Sequence, residues 1–187
     1  TLEIDVSDER QKQVFGELRS LVHGPQDPDR FAQLCFWVQQ LEEREPNTFD
    51  TQLKEYAVEG LRSWPLKYAT VTIHHFDFRH LSSISWTRLI RGVTLQHNHY
   101  DASQVATILE LMPWVEHVGV QTNQRDVLQM IDEGVFDGLR SLEIRMCPLR
   151  IKAFESFIER LSTREELAQL EELRFYHCHL KAAHIEA

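Results

Sequence analysis

Five strings of alternating apolar residues recur along this chain: VTIHHFDF at Val71 to Phe78, VTLQHNHY at Val93 to Tyr100, VGVQTNQR at Val118 to Arg125, LEIRMCPL at Leu142 to Leu149 and LRFYHCHL at Leu173 to Leu180. Their first residues are 22, 25, 24 and 31 positions apart, the interval of a repeating unit made of one short strand and one return helix. Such a unit buries its apolar face only against its neighbours, so the strings are expected to stack side by side. A stack of this kind exposes columns of side chains from successive strands. It supplies a binding surface more readily than a catalytic pocket.

The segments between the strings carry helical periodicity. In DASQVATILELM, Val105, Ile108, Leu109 and Met112 share one face, with Asp101 or Ser103 as a cap and Pro113 as a stop. The next return is predicted at Asp126 to Glu133, with Val127, Met130 and Ile131 inward and Gly134 ending it. The third, Ile151 to Leu161, uses Ala153, Phe154, Phe157, Ile158 and Leu161. The longest interval also holds LSTREELAQLEEL, where Ser162 or Thr163 is expected to begin a second short helix through the capping-box pattern of Thr163 to Glu166.

Residues 1–64 read differently, as three helices punctuated by prolines, and residues 65–187 as about five irregular repeats. Asp8 is placed to cap the first helix, whose face is Val14, Phe15, Leu18, Leu21 and Val22. Phe31, Leu34, Cys35, Val38 and Leu41 form the face of the second, and Leu53, Tyr56, Ala57, Leu61 and Trp64 that of the third. This front segment is expected to cap the first repeat or to act as a docking segment.

Charge narrows the partner class. Aspartate and glutamate outnumber lysine and arginine by 29 to 20, which argues against nucleic acid, because affinity for a phosphate backbone comes from lysine and arginine displacing counterions. The sequence holds no apolar run near 18 residues and no charged-then-apolar leader, so neither a membrane contact nor a signal peptide is expected and a cytoplasmic location is predicted. Three widely spaced cysteines, Cys35, Cys147 and Cys178, predict reduced thiols rather than a disulfide framework.

The strings resemble leucine-rich repeats. LRSLEIRMCPL from Leu139 and LEELRFYHCHL from Leu170 both fit L-x-x-L-x-L-x-x-N/C-x-L, with Cys147 or Cys178 at the asparagine/cysteine place. Ile90, Val93, Leu95 and Asn98 fit as well, and Val115, Val118, Val120 and Asn123 fit until Arg125 stands where an apolar residue is expected. The resemblance covers roughly residues 66–180. It implies an α/β solenoid with a parallel sheet on the concave face, return helices on the convex face and an α-helical N-terminal cap. Cysteine at that place is similar to the repeats of ubiquitin-ligase substrate-receptor subunits, and irregular bacterial repeat proteins match equally well.

With the strings aligned, alternation puts three columns on the face opposite the core: Thr72, Thr94, Gly119, Glu143 and Arg174; His74, Gln96, Gln121, Arg145 and Tyr176; Thr70, Gly92, His117, Ser141 and Glu172. His74, Gln96, Gln121, Glu143, Arg145, Arg174 and Tyr176 are the candidate partner-binding residues, arginine and tyrosine being enriched among binding hot spots. The expected function is that of a non-catalytic scaffold or adaptor for a protein or peptide, with no cofactor and with self-association open through the last repeat. The alternative is a metal-dependent or hydrolytic activity at a histidine-rich loop edge formed by His75, His97 and His99. No G-x-S-x-G, H-E-x-x-H, P-loop or dinucleotide fingerprint is present, although a serine–histidine–acid site assembled from distant residues has no sequence signature.

Overall fold

The computed structural model of the protein describes residues 9–45, 51–73, 85–96 and 99–181. It opens with three helices, α1 (Glu9–Val22), α2 (Pro28–Arg44) and α3 (Thr51–Leu61). Asp27 caps α2 by accepting from the Arg30 N–H at 2.8 Å, and Pro28 occupies the first turn, where a missing N–H does no harm. Val14, Leu18 and Val22 lie four residues apart on α1 and meet Leu34, Val38, Ala57 and Leu61 in one buried cluster. A Cβ on Gly60 would collide with the Val22 side chain, so glycine sets how closely α1 and α3 approach. Asp8 lies outside the described residues.

Beyond the helices the chain is α/β. Five strands, β1 (Thr70–Ile73), β2 (Gly92–Leu95), β3 (His117–Gln121), β4 (Ser141–Arg145) and β5 (Glu172–Tyr176), form one sheet in sequential order, every neighbouring pair parallel. The register pairs Val71, Val93, Val118, Leu142 and Leu173 on one rung and Ile73, Leu95, Val120, Ile144 and Phe175 two residues on. A slip of one residue would turn every one of these apolar groups to the opposite face, which is why the alternation specifies the pairing.

Helices α4 (Ala102–Glu110), α5 (Gln124–Asp132) and α6 (Ile151–Thr163) return the chain between strands. Val105, Ile108, Val127, Met130 and Phe157 share one buried cluster with the inward strand residues, so all three helices lie against the same face of the sheet. Full burial of a side chain such as Leu142 or Phe157 contributes about 1.5–3 kcal/mol.

Local chemistry sets the helix ends. Asp101 and Gln104 form a reciprocal capping box at α4. α5 begins two residues earlier than its periodicity predicts because Asn123 accepts from the Arg125 and Asp126 N–H groups. Gly134, with φ 73°, follows its end. The capping box expected at Thr163 does not form. α6 runs through Thr163, whose hydroxyl donates back to the Arg160 carbonyl, and the predicted second helix is a single 3-10 turn, Glu165–Leu167.

The residues just before β2 to β5 form a feature the periodicity does not reveal. Glu116 N–H donates to the Arg91 carbonyl, Arg140 N–H to that of Glu116, and Glu171 N–H to that of Arg140, continuing the ladder one step beyond the strands. Their side chains alternate in charge across it: Arg91 pairs with Glu116 at 2.8 Å and Arg140 with Glu171 at 2.7 Å. Arg91 is also where the helical segment is fastened to the sheet, since its Nη1 donates to the carbonyls of Leu61 and Trp64.

Candidate binding face of the parallel sheet

Because strand side chains alternate, the sheet face away from the helices carries the other set of residues. The observed register joins Thr72, Thr94, Gly119, Glu143 and Arg174, the predicted first column, and Gln121, Arg145 and Tyr176 of the second. Gln96 follows β2 and is half-buried, its N–H donating to the Ile73 carbonyl. His74 lies outside the described residues.

The face is uneven along the sheet. On β1 and β2 it is built from small residues, Thr70, Thr72, Gly92 and Thr94, and Thr94 is only 9% exposed. A Cβ on Gly119 would stand 3.1 Å from Thr94 Cγ2, so the glycine leaves room for the threonine to fold over it. Charge and aromatic surface gather on β4 and β5. Glu143 pairs with Arg145 along β4, and Glu172 accepts from Arg174 Nε at 2.8 Å along β5. The Arg145 guanidinium sits 4.7 Å from the centre of the Tyr176 ring, and that ring is half exposed. Met146, next to it, is exposed and turns the chain with φ 50°.

The third column contains a hydrogen-bonded line that no motif announced. His117 Nδ1 lies 2.9 Å from Ser141 Oγ, and Ser141 Oγ donates to Glu172 Oε2 at 3.1 Å. These are the residue types of an acyl-transfer triad in the wrong order, because the serine stands in the middle and the glutamate does not orient the imidazole. The line is a cross-strand polar contact. It holds β3, β4 and β5 in register from the outer face.

Burial lowers the His117 pKa first, with Arg174 and Arg145 acting in the same direction and Glu143 and Glu172 opposing them. A histidine whose folded value lies below its unfolded value of about 6.5 contributes nothing above that pH and destabilises the fold as protons bind the unfolded chain below it. Urea midpoints are therefore expected to fall as pH drops below about 6.5, and His117→Gln is expected to flatten that part of the profile. An unchanged slope in the variant would assign the loss to other groups.

The thiols are inert by position. Burial pushes Cys35 and Cys147 up to about 12, and Cys178 is raised for the same reason. Cys178 Sγ lies 3.2 Å from the Ile144 carbonyl. Of the histidine-rich edge, His75 and His97 lie outside the described residues, and His99 is exposed. Among the described residues no three histidine, cysteine or acidic side chains are grouped to hold a metal ion.

The tryptophans divide. Trp64 is buried and donates to the Val22 carbonyl, whereas Trp114 is 41% exposed with the Arg62 guanidinium 5.6 Å from its ring. No described helix is long and apolar enough to cross a membrane. No family model matches the chain, and no curated protein matches it.

Proposed function

We propose that this chain is an irregular leucine-rich-repeat-type solenoid, with α1–α3 as its amino-terminal cap, and that it works as a non-catalytic scaffold binding a protein partner on the open face of β4 and β5. The observation that carries this reading is the pairing of Arg145 with Tyr176. Two of the residue types enriched at binding hot spots are held together on neighbouring strands, with half of the tyrosine open to solvent. Glu143 fixes the Arg145 side chain from behind, so little side-chain freedom is lost when a partner docks. Strands lie about 4.8 Å apart, so five of them present a strip roughly 20 Å across, enough for an extended segment or one helix face. Its mechanism is rigid presentation of this surface, without covalent chemistry.

Affinity capture with the wild type and with an Arg145→Glu, Tyr176→Ala double variant tests the assignment. Recovery of the specific partner is expected to fall at least tenfold with the double variant and to persist with Glu155→Ala on the exposed side of α6. Equal recovery with wild type and double variant would remove the face from consideration.

A further inference from the structure

We propose that a recess at the carboxyl-terminal edge of the sheet, lined by Arg125, Arg150 and His179, binds the phosphate of a phosphorylated side chain on a protein partner. The recess has a volume of about 590 Å³ and no carboxylate lines it. Three successive connections build it. Arg125 stands in the first turn of α5, Arg150 immediately precedes α6, and His179 follows β5 in a left-handed conformation, φ 53°. The Arg150 N–H reaches Gln124 Oε1 at 3.4 Å, which ties two of these connections together.

The arginines carry the argument. From β3 to the end of the described chain, Arg140, Arg145, Arg160, Arg164 and Arg174 each stand in an ion pair. The two remaining arginines of that stretch, Arg125 and Arg150, have no ion pair among the described residues, and both line this one recess. The nearest acid in sequence, Asp126, accepts instead from Asn123 Nδ2. In a chain of net charge −9, where carboxylates are in excess, two guanidiniums left without one in a shared hollow leave room for an anion from outside.

Guanidinium presents paired donors that match phosphate oxygens bidentately. A phosphorylated side chain carries about −1.5 to −2 charges, which two guanidiniums neutralise, whereas a carboxylate would answer only one of them. The first turn of α6, opening on Arg150 with no side-chain cap and no acidic residue, adds donors of the same sign beside the arginines. The recess lies at the strand ends rather than on the open face, so this inference stands or falls separately from the Arg145–Tyr176 surface.

The test is a titration followed by amide NMR shifts, using inorganic phosphate against sodium chloride at equal ionic strength. Saturable shifts confined to the amides around Arg125 and Arg150 to Lys152 are expected with phosphate alone. Arg125→Ala combined with Arg150→Ala is expected to weaken binding at least tenfold while the rest of the spectrum is unchanged, since both side chains are exposed. Shifts that chloride reproduces, or a double variant that binds as well as the wild type, would overturn the site. A phosphoserine peptide, its unphosphorylated form and a single-stranded oligonucleotide then identify the source. The phosphopeptide is expected to bind at least tenfold more tightly than either, and preference for the oligonucleotide would overturn the protein assignment.

Discussion

Arg91→Met is expected to lower the unfolding free energy by about 3 kcal/mol, a large fraction of what a domain of this kind has. Arg91 is 5% exposed and holds three partners: the carbonyls of Leu61 and Trp64 at 2.6 and 3.1 Å and the Glu116 carboxylate at 2.8 Å. Leu61 is the last residue of α3, so the guanidinium also answers the negative end of that helix. Methionine fills the space but leaves the Trp64 carbonyl without its donor, the Leu61 carbonyl with only the Trp64 N–H, and Glu116 without its nearer cation, and removing one member of a buried pair is costly for that reason.

Glu116 is a quarter exposed and reachable by water, so Glu116→Gln is expected to cost about 1 kcal/mol. Urea unfolding of the three proteins checks the order. Equal losses for Arg91→Met and Glu116→Gln would show that the ion pair, and not the fastening of α3, is what matters.

Phe157→Ala is expected to cost about 3–5 kcal/mol, the range for removing a fully buried aromatic side chain. Phe157 packs edge-on against Phe175, ring centres 5.6 Å apart, and Phe154 approaches the same ring at 5.4 Å. These rings join α6 to β5. Leu173 and Phe175, the inward residues of β5, are themselves only half-buried, so little else secures the strand from that side. Hydrogen exchange in the variant is expected to speed up first at the β5 amides, because local stability tracks local apolar contact. A loss near 1 kcal/mol with unchanged β5 protection would mean that the end of the core closes over the vacancy.

Much of the sheet was legible because its signal is repeated. Alternation at Val93 and Leu95, Val118 and Val120, and Leu142 and Ile144 rules out any one-residue slip, which would turn all six outward, and aligning the strings places Arg145 beside Tyr176. The parts that escaped depend on side chains choosing among several nearby partners. Asn123, read as a repeat position, caps α5, and Thr163, read as a cap, bonds backward instead. Arg91, Glu116, Arg140 and Glu171 occupy one structural position, yet they sit just outside the apolar strings and alternate in sign, so no periodic pattern marks them. A signal for the face was present in the spacing of Glu143 and Arg145 and of Glu172 and Arg174. Opposite charges two apart on a strand share a side and pair along it.

The function proposed for this chain requires that its strands lie in sequence order and point the same way, since only then do residues from β4 and β5 make one surface. Interstrand Hα-to-amide NOEs in isotope-labelled protein measure this directly. Contacts running from Val71 to Val93, Val118, Leu142 and Leu173 in turn, all in the parallel pattern, are the predicted result; an antiparallel pattern, or a Leu173 with no contact to the Leu142 rung, would contradict it.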